Sequence, residues 1–539
     1  MIAAAGFFGS HTHGGSVRSR DRSFIQFGFV VLIMTACASP ARSGPVDEIP
    51  VGDPLESELR ILDLEGPAYG PGLRLRRMHT RPLQVLELAG PAGSDTLRSA
   101  ASTIARARLG RALLRDLPDT LGLPVAGATP RLWSRTGSHQ ERFEISAGLE
   151  GRGDVQRGEA SHFTSGSGIR TRIGGGTGHW SVFTDLLIGR VDQARSFADP
   201  IVPGNDLVTH MVAGSLAYTD DAGNWSVRLG RGQFHWGPGF EGSLLLSKTA
   251  PPITALSMRA RIEFLRADAI AINGTLASAG GEQLAAHRIE WQPFDGLRIG
   301  IAEAARYRSE AWQPLYLVGV IPYVLVQRLQ VQDESDSAVA LRNNVQIATD
   351  FAWRIVPGLR VYGEVLIDDL HAKSASNPNK LGFQVGLEGV TDLGSGRATG
   401  GVEATRVSRY VYTSFFGRVF ETHGEPLGWP DGPDALRIAM RLGWDLDEAW
   451  QLGLRAADQR LGNSGLEDAF VPGSPDVDVW KFTPPSERTR ELEGTVRWWP
   501  RSGVDLMIGA GRRWIDDADH VEGVNRRETF GFLALRLVR

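Results

Sequence analysis

Cysteine is almost missing from this sequence: Cys37 stands alone among 539 residues. An internal disulfide framework is therefore excluded, and so are sites built from paired cysteines. Lysine is nearly as scarce, occurring only at Lys248, Lys373, Lys380 and Lys481, so positive charge rests on arginine. The formal net charge is −4 and no arginine cluster forms a basic stripe, which argues against nucleic acid as a partner. No run of about 18 apolar residues is present, so no transmembrane helix is available. Among active-site signatures, Gly-x-Ser-x-Gly, His-Glu-x-x-His, the phosphate-binding loop and paired Cys-x-x-Cys are all missing. Nothing in the motif inventory points to an enzyme, a cofactor or a metal. Fixed-period repeats are missing too, which disfavours a propeller despite the 65 glycines.

The longest apolar run covers residues 24–36, too short to span a bilayer. Arg18, Arg20 and Arg22 precede it, and the small residues around Cys37 follow it. A positive flank, a short apolar core and small residues make an export signal over residues 1–37. Two processing routes fit equally: lipidation of Cys37 as a new N-terminus, or ordinary cleavage at Ala36-Cys37-Ala38. Residues 38–53 are rich in Pro, Ser, Gly and acids and read as a linker.

Residues 54–135 read as a helical section. Leu55, Leu59 and Leu62 fall at helical spacing. A longer helix is expected from Asp95 to about Asp116, with Leu97, Ala101, Ile104, Ala105, Leu109 and Leu113 as its apolar stripe. Arg106, Arg108, Arg111 and Arg115 fall mostly off that stripe. From residue 136 onward the period changes to two. Phe143, Ile145, Ala147 and Leu149 alternate with Glu144, Ser146 and Gly148. Similar segments recur to the C-terminus, separated by turn residues such as Pro357-Gly358. They number about 18, each about ten residues long, the length of a tilted membrane strand. Tight turns alternate with long polar insertions, including 194–206, 423–434 and 463–486. Tight turns at one rim and long loops at the other are the asymmetry of a membrane barrel. The expected fold is all-β: a large antiparallel outer-membrane β-barrel over residues 136–539 with a short helical periplasmic section before it. A soluble periplasmic β-protein is the competing architecture.

Two stretches stand out as candidate sites. In the first, Arg231 precedes His235, Trp236, Gly237, Pro238 and Gly239, with Ser243 and Ser247 in the apolar run beyond. Gly237 and Gly239 around Pro238 favour a sharp turn. His235 and Trp236 have the chemistry to stack on a sugar ring. The alternative is a packed inward loop that plugs the lumen. In the second stretch, Tyr362 and Glu364 share a strand face, and Asp368 and Asp369 follow at its end. Adjacent strand residues point to opposite faces, so these two aspartates do not form a facing acid–base pair. A solvated rim is the plainer reading of them.

The stretch 232–251, with Trp236-Gly237-Pro238 followed by Ser243-Leu244-Leu245-Leu246-Ser247 and Ala250-Pro251, resembles the capsule-assembly Wzi family. The likeness continues in His287-Arg288, Asn343-Asn344, Asp350, the segment 362–369, the segment 403–406, Tyr410, Tyr412 and the segment 427–433. It spans about residue 50 to the C-terminus. Ala404 departs from an aromatic that is frequent in the family, and the chain ends without the aromatic residue common in barrels. The resemblance implies a monomeric outer-membrane barrel that attaches or organises capsular polysaccharide without catalysis. Its implied partners are surface polysaccharide, outer-membrane lipids and the outer-membrane assembly machinery. Arg231, His235, Trp236, Tyr362, Glu364, Asp368 and Asp369 are the candidate glycan contacts. A porin-like channel for small polar solutes or saccharides is the alternative function, and an enzyme built on Asp368, Asp369, Glu364 and His235 is a third.

Overall fold

In the computed structural model, the described residues are 48–49, 55–65, 83–84, 103–108 without 106, and 132–538 apart from short intervals. The longest of those intervals are 192–206, 330–342, 370–377 and 472–477. The export signal with Cys37, the linker and most of the helix expected over 95–116 lie outside the described residues.

Eighteen strands close into one antiparallel ring. The first nine are β1 (Arg142–Arg157), β2 (Ser161–Thr177), β3 (Trp180–Val191), β4 (Leu207–Thr219), β5 (Trp225–Gly232), β6 (Ile253–Ile262), β7 (Ala267–Thr275), β8 (Glu282–Phe294) and β9 (Leu297–Arg308). The second nine are β10 (Asn344–Val356), β11 (Leu359–Asp369), β12 (Lys380–Leu393), β13 (Gly396–Val407), β14 (Ala435–Asp445), β15 (Trp450–Leu461), β16 (Glu487–Arg501), β17 (Val504–Asp516) and β18 (Arg526–Val538). Each pairs with its sequence neighbour. β18 closes onto β1, with Thr529 opposite Arg157 and Val538 opposite Gly148.

The two-residue period gives each strand a dry outer face and a polar inner face. On β8, Ile289 and Trp291 point outward while Arg288 and Glu290 are buried inside. On β10, Ile347, Phe351 and Trp353 are exposed, and Gln346, Ala348, Asp350 and Ala352 are buried. Exposed Val385, Leu387, Val402, Leu442, Leu454, Val496, Ile508 and Leu533 continue this belt. Its lower edge carries exposed Trp225, Trp291, Trp353, Trp444 and Trp450, all beside tight turns. An unbroken apolar band edged with tryptophan is a surface built to face hydrocarbon and its interface. In water the same band would be a large aggregation-prone patch.

The two rims differ as the turn chemistry demands. One rim has tight connections, such as Pro357-Gly358 between β10 and β11, with Gly358 at a φ of 83°. The other carries the chain between β5 and β6, β9 and β10, β13 and β14, and β15 and β16, all long. One of these connections holds two short helices, α2 (Pro314–Leu317) and α3 (Tyr323–Leu329), where Tyr316 stacks on Tyr307 at 4.2 Å.

Before the barrel in sequence, the helix α1 (Leu55–Glu65) follows the expected leucine spacing. Its polar face is tied to lumen-facing side chains near the tight-turn rim. Asp63 pairs with Arg298 and Arg360, and its carbonyl accepts from Arg354 at 2.8 Å. Glu58 pairs with Arg397 at 2.7 Å and with Arg108 at 3.0 Å. Arg108 also meets Asp445 at 2.8 Å and lies over the Trp499 ring. Its expected place off the apolar stripe is therefore not a solvent face: Arg108 is buried, because carboxylates inside the barrel replace its water.

Candidate functional site

After β5 the chain turns into the lumen, and residues 233–251 pack between α1 and the inner faces of β11 to β14. Backbone bonds hold its shape. Trp236 N–H donates to Leu246 O at 2.8 Å, and Ser247 N–H donates to Leu427 O at 2.8 Å. Ser243 Oγ lies 2.6 Å from Trp236 O and 3.0 Å from Glu364 Oε1, which also accepts from Leu244 N–H at 3.1 Å. Ser247 Oγ lies 2.6 Å from Thr249 Oγ1. The apolar run Leu244, Leu245 and Leu246 joins Trp236, Leu366, Val411, Tyr412 and Trp429 in one buried cluster.

Gly237 and Gly239 are small for a reason of space. A Cβ on Gly237 would stand 2.5 Å from Glu364 Oε2 and 2.7 Å from Ser243 Oγ. One on Gly239 would collide with Gly242 O and Gln384. Pro238 between them offers its carbonyl to Arg60 of α1 at 3.0 Å. Arg60 continues to Glu388 at 2.8 Å, and Glu388 also takes Arg360 and, at 3.1 Å, Arg441. Lys248 pairs with Glu56 of α1 at 3.2 Å. The loop and the helix thus form one plug, riveted to β9–β14 by buried charge.

Beyond Gly239 the plug reaches the opposite side of the same wall. Phe240 N–H donates to Glu403 Oε2 at 2.8 Å, the oxygen that also accepts from Tyr362 Oη at 2.7 Å. Glu241 is held by Arg455 at 2.6 Å and Arg437 at 3.5 Å. Burial raises the pKa of Glu241, but the Arg455 hydrogen bond and nearby guanidiniums outweigh it, so the carboxyl stays below its ordinary range. His235 is the reverse case. Burial, and then the Lys248 ammonium, push it from 6.5 down to about 3. Its Nε2 sits 3.0 Å from Gly239 O, while Nδ1 accepts from Lys248 N–H at 3.4 Å. A neutral ring carrying its proton on Nε2 satisfies both contacts.

These positions revise the site expected from sequence. Trp236 is 0% exposed and His235 is buried, so neither presents a face for a sugar; packing against Leu244–Leu246 and Trp429 uses those surfaces instead. Tyr362 and Glu364 do meet the motif loop, but as buried struts beneath it rather than as ligand contacts. Arg231 is separated from them. Its register partner is Thr254, on the face opposite buried Arg228, and its guanidinium donates to Met211 O at 3.2 Å. Asp368 is not a solvated rim group, since it accepts from Tyr412 N–H at 2.7 Å. Asp369 pairs with Lys380 at 2.7 Å, at a register irregularity between Ile367 and Asp369 where strict two-residue alternation does not hold.

Two groups of residues were not singled out in the sequence. Glu56, Glu58, Arg60 and Asp63 dock α1, and the only signal for them is a dense mixture of charge along a short helix. Gln384, Glu388 and Arg441 line the wall beside Glu403; they sit at alternate strand positions, but nothing local marks these three from other lumen residues. At the long-loop rim, Trp429 is buried in the plug, whereas Trp480 is 39% exposed. Arg406 lies 4.1 Å from the Phe482 ring centroid and 5.8 Å from that of Trp480, and Arg460 lies 4.6 Å from Phe482.

A model of the family "Capsule assembly protein Wzi" matches residues 204–529. The fold is similar to that of Escherichia coli Wzi, described as an outer-membrane, carbohydrate-binding β-barrel involved in group 1 capsule assembly. That similarity has a TM-score of 0.57 at 15% identity and covers 92% of this chain and 99% of that one. Pseudomonas aeruginosa OpdO gives a TM-score of 0.42 at 8% identity, covering 74% of this chain and 97% of that one. Pseudomonas aeruginosa OpdK gives 0.42 at 10%, covering 73% and 99%. No curated protein sequence matches the chain.

Proposed function

This chain belongs to the capsule assembly protein Wzi family, and from that premise we propose that it is an outer-membrane β-barrel that binds or organises capsular polysaccharide at the cell surface, by contact and without catalysis. One observation carries the reading of how it does so. The motif stretch is spent on plugging the lumen, which leaves the long-loop rim as the surface available to a polymer. There Trp480 and Phe482 stand with Arg406 and Arg460. Aromatic faces suit the C–H side of a pyranose, and guanidinium groups pair with uronate carboxylates.

The test measures how surface glycan divides between cells and medium in a deletion strain complemented with variants. Deletion is expected to raise shedding while total synthesis holds. Trp480→Ala is expected to raise shedding with an unchanged melting profile. Trp236→Ala serves as the contrast: it destabilises the plug by about 3–5 kcal/mol. Unaltered partitioning in the deletion strain would refute the anchoring role.

A channel is the second reading, and one observation favours it. The lumen wall facing away from the plug remains wet. Arg152 is 52% exposed on the inner face of β1, over the Phe532 ring, with Asp154 beside it at 2.8 Å. Steady conductance of the purified chain in a planar bilayer would support a solute path along that wall, and a silent bilayer would count against it.

A further inference from the structure

On β16, β17, β18 and β1 the outward face changes character at one level. From the tight-turn rim upward it runs Trp498, Val496, Gly494, Leu492 on β16; Val504, Leu506, Ile508, Ala510 on β17; Leu537, Leu535, Leu533, Gly531 on β18; and Leu149, Gly151, Gly153, Val155 on β1. The next outward positions are Arg490 and Arg488, Arg512 and Trp514, Thr529 and Arg527, and Arg157. Five arginines on four adjacent strands thus replace the apolar belt within one or two alternations.

Among the described residues, two acids face them. Arg488 pairs with Asp458 and Arg490 with Asp516, both at 2.6 Å, and each arginine is still about half exposed, at 50% and 49%. Arg512, Arg527 and Arg157 are exposed and meet no acid among the described residues. Among the described residues the patch therefore keeps three positive charges without an acid partner, beside Trp514.

Its height decides what it meets. From Val504 to Arg512 the strand climbs eight residues at roughly 3.3 Å each, and a tilt of about 40° makes that about 20 Å along the membrane normal. The apolar belt of such barrels is about 25 Å tall. Arg512 and its neighbours thus stand where hydrocarbon gives way to headgroups, on the long-loop side. A soluble polymer reaching the rim would have to descend beside the lipid to touch them. A lipid headgroup is already there.

We propose that this outward arginine patch on β16–β18 and β1 is a docking site for a phosphorylated glycolipid of the surrounding outer leaflet. Each phosphate accepts two guanidinium hydrogen bonds in the bidentate manner. The acyl chains lie along Leu533, Leu535, Ile508 and Leu149 below. The inference rests on the barrel being an outer-membrane protein, and it stands independently of polysaccharide binding.

The experiment measures binding of diphosphoryl lipid A, and of its phosphate-free analogue, to the full chain in neutral detergent by native mass spectrometry. The wild type is expected to retain the diphosphoryl lipid and to bind the phosphate-free analogue at least tenfold more weakly. Each arginine removed is expected to weaken binding about fivefold, so Arg512→Ala/Arg527→Ala/Arg157→Ala together should lose on the order of a hundredfold. The corresponding lysine triple variant should keep most of the affinity and exclude a folding defect. Equal binding of the two lipids, or an alanine triple variant that binds like the wild type, overturns the proposal. So does an alanine triple variant that loses host polysaccharide while retaining the lipid, since the patch would then serve the glycan.

Discussion

Replacing Glu388 with alanine tests whether buried charge locks α1 into the lumen. The Glu388 carboxylate is shared by Arg60, Arg360 and Arg441, and it is 2% exposed. Removing one partner of a buried pair costs about 3–5 kcal/mol, because the opposite charge is left without water or a counter-ion. Arg360 retains Asp63, and Arg60 retains the Pro238 carbonyl and the more distant charge of Glu56. The loss should therefore lie near the lower end, about 3 kcal/mol, or roughly a hundredfold rise in the population with α1 undocked. Arg60→Ala removes the same link from the other side but leaves Glu388 with two guanidiniums. It should cost only about 1–2 kcal/mol. The assay is the rate at which a glutamate-specific protease cuts α1 in detergent-solubilised protein, which follows the undocked population when closing outpaces cleavage. The expected order is Glu388→Ala fastest, then Arg60→Ala, then wild type. Added salt should change the order little, since the pair is buried. Cleavage of Glu388→Ala at the wild-type rate, or slower than Arg60→Ala, would refute the electrostatic lock.

Gly237→Ala places a methyl group against Glu364 and Ser243, which are fixed by their own bonds, so the plug should lose about 1–3 kcal/mol; a melting temperature equal to wild type contradicts the close fit. Acid should loosen the same loop. His235 binds a proton below pH 6.5 when the loop is undocked, but only near pH 3 when docked, so docking is fully favourable above pH 6.5 and weakens as pH falls from 6.5 toward 3. Protease sensitivity of residues 233–251 should rise across that window and become flatter in His235→Gln; an identical pH profile in the variant removes His235 as the cause.

The two-residue period and the alternation of tight turns with long loops followed from local residue choice, and the ring shows both; the strands run from 8 to 17 residues where about ten was expected. Leu55, Leu59 and Leu62 likewise marked α1. Alternation is a near-neighbour property, so it survives translation into structure. The candidate site fared differently. Trp236 and His235 were correctly singled out as unusual, yet two outcomes, ligand platform or packed plug, use the same residues. Only the approach of β11–β14 and of residues 427–429 decides between them. Arg231 differs from its neighbours in a subtler way: one step of register sends it to the outer face.

By itself, then, the sequence determined that this chain makes a long antiparallel meander with one dry face, unequal rims and a glycine-rich loop after β5. Those features depend on residues a few positions apart. The tertiary structure alone decided that β18 meets β1, that the loop and α1 fill one side of the lumen, and that Arg60 finds Glu388 across 328 positions of chain. Such contacts depend on the circumference and stagger of the closed ring, and no local pattern encodes which inward charges will face each other across it.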